Sequence, residues 1–587
     1  MNSTPFRYIT TPIYYVNDRP HLGHLYTSVA GDILARFYKL LGYGVKFVTG
    51  TDEHGAKVDQ AARNQGISPQ DYVDTMAKAF QDLIHVAHVQ ADDFIRTTEH
   101  RHHRAATALW DRLEQTGAIY LDHYEGWYAI RDEAYYDESE LTDGPNGKMA
   151  PTGAPVEWVQ EPCYFFRLSQ FQQPLLDYYH NHPESIGPDS RRNEVVSFLN
   201  SGLRDLAVSR SKMTWGIGIP GSDHVMYVWV DALTNYLTAL GYPNTDCSEF
   251  QDHWKESIHL MGKDILRFHA VYWPALLMAA GLTPPKRLFA HGWWMSEGQK
   301  MSKSLGNVID PFALIHHYGV DRVRYFLFRH VRFGQDGDFS KELFEQRCNH
   351  ELADGLGNLV HRVLSFIQNR LDGVMPISPE ITVPLDSKYG AVHAGAETLR
   401  HWASEQSKSW VQMMEEQNIY AYLESVYSGI CQGNAYMAEL APWALLKLAN
   451  SGDTAAAQAM HHGLYALVSF LRDLAIALWP VIPATAQSMW KQLGLQGAIQ
   501  DSARASVGME SGHEAGVGGG VSSVKNGAVA AEAKGSDDGM SGVLVNQDSY
   551  GVVFGAAAGS GGAFSCFGCD LLPGVIGQPT PLFSKEA

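Results

Sequence analysis

Between Phe6 and Thr116 the chain alternates short β-branched and aromatic runs with segments of helical period, and this alternation limits the fold more than any other feature. Phe6 to Val16 (FRYITTPIYYV) has the composition of a strand. Asn17-Asp18-Arg19-Pro20 is a turn with Pro placed to start a helix. Apolar residues recur at helical spacing from Leu22 to Leu41, and Gly42-Tyr43-Gly44 ends that helix before a second strand, Val45 to Gly50. Helical patterns over 68–90 and 99–116 follow. This order predicts an α/β fold: a Rossmann-like, doubly wound parallel sheet with crossover helices.

Texture divides the 587 residues into six regions. The first half of the sheet domain is expected over 1–116. An inserted subdomain is expected over 117–205, where aromatics, acids and turn residues mix without sustained helical period. The α/β pattern returns over 206–295, with strands at Ser257–Gly262 and Arg287–Gly292 and a helix at 263–281. A polar loop opens a linking region, 296–345. Residues 346–495 read as an α-helical bundle broken at Pro442 and Pro480. In the tail, 496–587, glycine rises to about a quarter of the residues, against a usual ~7%, and disorder or loose structure is expected up to about 570.

Composition narrows the class. Hydrophobic residues are 45% and charged residues 19%, which excludes a disordered chain. The longest apolar stretch, Ala270 to Leu282, is interrupted by Pro274 and too short to cross a bilayer. The N-terminus lacks the basic start and apolar core of a signal peptide. Six scattered cysteines give no disulfide framework. A multidomain cytoplasmic protein without membrane association is expected. The net charge of −19 opposes indiscriminate nucleic-acid binding but leaves room for a local basic track. Arg322, Arg324, Arg329 and Arg332 form one, which taken alone reads as a solvated helix face.

Four loops follow predicted parallel strands, where open α/β sheets bind ligands. They are His21-Leu22-Gly23-His24, Gly50-Thr51-Asp52-Glu53-His54-Gly55, Gly262-Lys263-Asp264-Ile265-Leu266-Arg267-Phe268-His269 and Lys300-Met301-Ser302-Lys303-Ser304. His21 and His24 share one face of a helix start, whose free N–H groups suit phosphate, and Gly23 lets a ligand approach the backbone. A metal pair at this spacing lacks an accompanying carboxylate or thiolate. Lys300 and Lys303 bring two ammoniums to a glycine-flanked loop fit to close over a leaving pyrophosphate. Either motif alone is weak; in this order, each after a strand, they reinforce one another.

HLGH followed by KMSKS resembles the signature pair of class I aminoacyl-tRNA synthetases. TPIYYVNDRPHLGH, FVTGTDEHG, YVWVDALTNYL, GKDILRFHAVYWPALL and GQKMSKSLGNVIDP are similar to the methionyl-tRNA synthetase family, in order, from residue 6 to about 495. The resemblance implies activation of L-methionine by ATP with Mg²⁺, then transfer to tRNA(Met), initiator and elongator. Neither step needs a protein nucleophile, so positioning and charge stabilisation should suffice. By resemblance, His21, Gly23, His24, Lys300, Ser302 and Lys303 would hold ATP, with His21, His24, Lys300 and Lys303 catalytic. Asp52 would take the methionine ammonium, with Arg210 as its partner or the carboxylate's. Ile13, Tyr15, Trp229, Ala232, Leu233, Tyr236, Asp264, Ile265 and His269 would form the remaining methionine site, Tyr15 or His269 offering the sulfur a weak hydrogen bond. Asn358, Arg362, Pro442 and Trp443 would read the anticodon by stacking and edge contacts, and the Arg322–Arg332 track would meet the tRNA stem.

The chain departs from the family in two places. Many relatives hold structural zinc in the inserted subdomain through cysteine pairs; here Ala129 and Asp132 stand at the first pair, APTGAPVEWV replaces the second, and Cys163 is alone. No metal is expected there, and packing of Trp127, Tyr128, Trp158, Tyr164 and Phe165 should replace it. The His100–Arg104 run reads as a polar helix face. The glycine-rich block looks like an insertion before Ile576–Phe583, which resembles the family's ending, and Cys566-Phe567-Gly568-Cys569 reads as incidental. Without room for a dimerising C-terminal barrel, a monomer is expected. The competing readings are a silent tRNA-binding module, opposed by the intact motif residues, and a class I synthetase for another amino acid, opposed by Tyr15, Trp229, His269 and Pro442-Trp443.

Overall fold

The computed structural model describes residues 4–129, 131, 134–144, 147–211, 213–301, 307–376, 388–501 and 575–585. Six strands form one all-parallel sheet: β1 (Phe6–Tyr15), β2 (Gly44–Asp52), β3 (Asp93–Arg96), β4 (Ile186–Gly187), β5 (Ser257–Gly262) and β6 (Arg287–His291). Their spatial order is β3-β2-β1-β5-β6-β4, so the chain reverses direction of growth between β1 and β5. Successive strand residues face opposite ways. Ile9, Phe47, Leu260 and Phe289 enter one core, while Tyr8, Val48, Met261 and Leu288 enter another on the opposite face. Both faces are thus covered, as a doubly wound sheet requires.

Helix α1 (Leu22–Leu40) packs on the first face, and its core runs on without a break into the C-terminal bundle. α2 (His100–Gln115) places Leu109, Trp110 and Leu113 on the second face. α3 (Val228–Leu233) lies on that face too. The expected helix at 263–281 is a 3₁₀ turn, Lys263–Ile265, then a π turn, Phe268–Tyr272, then an α-helix, Trp273–Ala279. Pro274 explains part of this: it has no N–H for the carbonyl of Ala270, which instead accepts from Tyr179 Oη at 2.5 Å.

The 117–205 stretch is more ordered than its texture implies. A long antiparallel hairpin, Ile119–Ala129 with Glu157–Phe166, is followed by helices Gln172–Asn181 and Asp189–Asn200, with β4 between them on the edge of the main sheet. Trp127 and Trp158 meet edge-to-face at 5.4 Å across the hairpin. Ala129, Ala150 and Ala154 are buried together against Tyr136 and Val156. Those alanines offer no metal-ligating side chain, and Cys163 donates to the carbonyls of Tyr164 and Ser209; Asp132 lies outside the described residues.

Most of the arginine track is turned inward and is not a solvated face. Arg322, Arg324 and Arg329 are buried on the helix Val320–Arg329. Arg324 Nη2 pairs with Asp32 of α1 at 2.6 Å, and its other N–H groups donate to the carbonyls of Val481, Pro480 and Ala87. Arg329 pairs with Glu351 and Glu424. Arg322 donates to the carbonyl of Ser584. A helix face rich in both charge and apolar residues was here turned inward, because each guanidinium found a carboxylate or carbonyl partner. Only Arg332 of the four is exposed.

The bundle comprises Asn358–Arg370, Gly390–Glu415, Ile419–Leu440, Pro442–Asn450, Thr454–Leu478 and Pro483–Gln492, with Pro442 and Pro480 at the expected breaks. The C-terminal stretch is not loose throughout. Val575 bridges Val374, Ile576 is buried, and Leu582 and Phe583 pack against the bundle core. Residues 502–574, with Cys566 and Cys569, lie outside the described residues.

Candidate active site

A cavity of about 640 Å³ opens at the C-terminal ends of β1, β2, β5 and β6, at the point where the strand order reverses. Its wall includes Ile13, Tyr15, His21, Gly23, His24, Asp52, Trp229, Ala232, Leu233, Tyr236, Asp264, Ile265 and His269. Segments far apart in sequence therefore converge on one site.

At one end, His21 caps α1. The His21 Nδ1 accepts from the Gly23 N–H at 3.1 Å, and the His24 Nδ1 accepts from the His21 N–H at 3.1 Å. The two rings stack with centroids 3.7 Å apart. With Nδ1 accepting on both, Nε2–H is the remaining donor of each ring. Burial, and the His21 ring beside it, hold His24 well below the usual imidazole range. A Cβ at residue 23 would lie 3.0 Å from the His21 ring, so glycine lets that ring fold back over the helix start.

The loop after β2 uses consecutive residues for different tasks. Asp52 lines the cavity. Glu53 is buried and accepts from Arg96 Nε at 2.7 Å and Thr98 Oγ1 at 2.5 Å. His54 Nδ1 donates to Asp231 Oδ2 at 2.7 Å. Trp215 clamps this loop from both sides: its Nε1 donates to the Glu53 carbonyl at 2.6 Å, and its carbonyl accepts from the Gly55 N–H at 3.2 Å. Arg210 is not among the residues lining the cavity. Its Nη1 donates to the carbonyls of Ser209 at 2.7 Å and Ala207 at 3.3 Å, and its guanidinium lies over Tyr227.

At the other end, Trp229 stacks on Phe268 with centroids 3.7 Å apart. His269 Nδ1 faces the Ile265 carbonyl at 2.9 Å, and its Nε2 faces Tyr236 Oη at 2.7 Å. A carbonyl only accepts, so Nδ1 carries the proton and Nε2 accepts from Tyr236. Burial pushes the His269 pKa down to about 4, which keeps the ring neutral. Both ring nitrogens are thereby used, so His269 orients Tyr236 and does not offer a hydrogen bond to a ligand sulfur.

Several lining residues escaped the sequence reading. His291 Nε2 meets Thr27 Oγ1 at 2.7 Å, and Trp293 Nε1 donates to Asp264 Oδ1 at 3.1 Å while Lys263 lies over the indole. His291 ends the strand β6 and Trp293 follows it, so the strand-end rule that picked out the other loops would have found them. Lys300 closes a short hairpin, its backbone paired with Met295, and Met301 lines the cavity. The side chain of Lys300, and Ser302 and Lys303, lie outside the described residues.

The residues that the resemblance assigns to the anticodon sit on the bundle. Asn358 is exposed and Arg362 half-buried on the helix Asn358–Arg370. Ala441 adopts φ 40° and turns the chain into the next helix, whose first residue Pro442 is buried and whose second, Trp443, is 53% exposed. An indole that large left in solvent fits a stacking platform better than a core role.

Comparison with known proteins agrees with this geometry. The family model described as "tRNA synthetases class I (M)" matches residues 7–364. A methionine–tRNA ligase of Rickettsia conorii is 50% identical over 497 residues, covering 84% of this chain and 94% of its own. One of Mesorhizobium japonicum is 46% identical over 496 residues, covering 84% and 92%. Among solved structures, Mycobacterium tuberculosis methionyl-tRNA synthetase in complex with methionyl-adenylate superposes with a TM-score of 0.78 at 43% identity, covering 84% of this chain and 94% of that one.

Proposed function

The chain belongs to the methionyl-tRNA synthetases, a class I family, and so activates methionine with ATP and charges tRNA; we propose that it does this in the cavity at the β1/β5 switch point, with the residues assigned below. The observation that carries the assignment is the convergence of the five motif segments on one 640 Å³ cavity.

In the first step a methionine carboxylate oxygen attacks the α-phosphorus of MgATP, a P–O bond forms, and the bond to the bridging oxygen breaks as Mg-pyrophosphate leaves. In the second, a terminal ribose hydroxyl of tRNA attacks the carbonyl carbon of the adenylate, loses its proton, and AMP leaves. His21 and His24 donate from Nε2–H to ATP phosphates, a role supported by their fixed ring orientation. Lys300, Ser302 and Lys303 bind the phosphates and the leaving pyrophosphate, the two lysines countering the charge that grows in the transition state. Asp52 holds the methionine ammonium. The side chain lies against Ile13, Tyr15, Trp229, Ala232, Leu233, Tyr236 and Ile265, where aromatic faces suit a thioether. His269 acts through Tyr236, and Asp264 fixes Trp293 at the pocket rim.

On the bundle, Trp443 stacks on an anticodon base while Asn358 and Arg362 read base edges, and Pro442 fixes the helix start that presents the indole. The buried alanine cluster supports a zinc-free knuckle. We further assign a monomer working in the cytoplasm; among the described residues no helix is long and apolar enough to cross a membrane. Amino-acid-dependent exchange of pyrophosphate into ATP tests the first step, and charging of tRNA(Met) tests the second.

A further inference from the structure

Behind the cavity wall, out of reach of any ligand, lies a carboxylate that ties its two halves together. Asp231 of α3 is 1% exposed and accepts from two histidines: His54 Nδ1 at 2.7 Å and His102 Nε2 at 2.8 Å. His102, on α2, is fully buried, so the His100–Arg104 run is not simply a polar face; its Nδ1 meets Thr238 Oγ1 at 3.0 Å. His54 stands two residues after Asp52. Asp231 stands two residues after Trp229 and immediately before Ala232 and Leu233. None of the three lines the cavity.

A buried carboxylate taken out of water needs strong compensating donors, and here it has two and spans three segments. Such a brace fixes distances that backbone sheet bonding does not reach, because α3 has no hydrogen-bonded ladder to β2. We propose that Asp231, through His54 and His102, is a positioning centre that sets the gap between the Asp52 wall and the Trp229–Leu233 wall, and thereby the selectivity of the site for the length of the amino acid. This rests on the methionine-activation reading. Catalysis proper stays with the groups that touch ATP; the brace acts on where methionine sits.

Bond geometry makes the inference specific. Asparagine Nδ2 overlays histidine Nδ1, and glutamine Nε2 overlays histidine Nε2, so each site has one amide that keeps its bond to Asp231 and one that does not. His54→Asn should therefore preserve function where His54→Gln and His54→Leu do not; at position 102 the order reverses, with His102→Gln preserving and His102→Asn failing. The readout is pyrophosphate exchange with methionine and with ethionine, one carbon longer, normalised to active sites titrated by the adenylate burst. In the failing variants KM for methionine should rise about ten-fold or more, the loss of roughly one charge-assisted hydrogen bond. KM for ATP should stay within about two-fold, and the methionine-to-ethionine ratio of kcat/KM should fall. Two further results would overturn the proposal. One is a failing variant, still melting cooperatively, that loses only active fraction or raises both KM values together. The other is two amides that behave alike at each position. If His54→Leu does not fold, the amide pairs decide the matter alone. A wild-type protein that exchanges with no methionine would instead remove the reading beneath, an outcome distinct from both.

Discussion

Replacing His269 by glutamine should make the protein less sensitive to acid. The wild-type ring is buried, and that burial moves its pKa from the ordinary 6.5 down to about 4. In the unfolded chain the same imidazole takes up a proton as pH falls through 6.5, while in the fold it stays neutral until about 4. Between those values the unfolded state binds more protons, so stability falls as pH falls, at about 1.4 kcal/mol per pH unit. From pH 7.5 to 5.0 the wild type should lose roughly 2 kcal/mol on account of this one group. Glutamine does not titrate, so His269→Gln should lose roughly 2 kcal/mol less over the same interval, whatever its stability at pH 7.5. Other buried histidines held low without His269, such as His24 and His291, contribute to both proteins and cancel in the difference. Urea titration of the first cooperative transition at the two pH values measures it. Parallel losses in wild type and variant would refute the burial of a neutral ring at this position. Glutamine can still accept from Tyr236 through Oε1, but it loses the ring Nδ1–H bond to the Ile265 carbonyl that fixes the acceptor's place, so KM for methionine should rise more than KM for ATP.

Other perturbations have equally defined outcomes. Lys303→Ala should slow adenylate formation on the order of a hundred-fold with little change in methionine affinity, because its contact strengthens in the transition state; an unchanged single-turnover rate would remove Lys303 from the site. Trp443→Ala should leave pyrophosphate exchange intact and lower kcat/KM for tRNA charging by roughly ten-fold or more, the worth of one stacked base; intact charging would refute the anticodon assignment. Arg324→Met leaves Asp32 buried without one of its partners and should destabilise by about 3–5 kcal/mol, seen as a lowered Tm; a change under about 1 kcal/mol would show the pair to be dispensable. Chelation by EDTA should leave the melting curve unchanged, with Mg²⁺ restored before activity is measured; a fall in Tm would contradict a zinc-free knuckle.

Local patterns carried the sheet and the ligand end of the site. The Pro20 turn, the His21 cap and the glycines after Leu41 mark α1 within a residue of its observed end, and strand-terminal loops led to the cavity because the switch-point rule depends only on strand order. What stayed hidden depends on partners far away in sequence. Asp231 and His102 are 129 residues apart, and Arg324 and Asp32 are 292 apart, so a histidine run and an arginine track looked like solvated faces although His102, Arg322, Arg324 and Arg329 are buried. A charge run gives no sign of its burial until its counter-charges are placed. Arg210, which the resemblance places beside Asp52 or the methionine carboxylate, meets the carbonyls of Ser209 and Ala207 and lies over Tyr227. The helices at 172–181 and 189–200 were missed because their hydrophobic faces are short, with only Leu175, Tyr179, Val195 and Leu199 buried.

The most direct test of the account is amino-acid-dependent ATP–pyrophosphate exchange by the purified protein, run with each of the twenty amino acids. Exchange with methionine alone is the predicted result, since it requires both the adenylation chemistry at His21, His24 and the lysine loop and the pocket built around Tyr236. A folded protein that exchanges with none of them, or with another amino acid in preference to methionine, would contradict it.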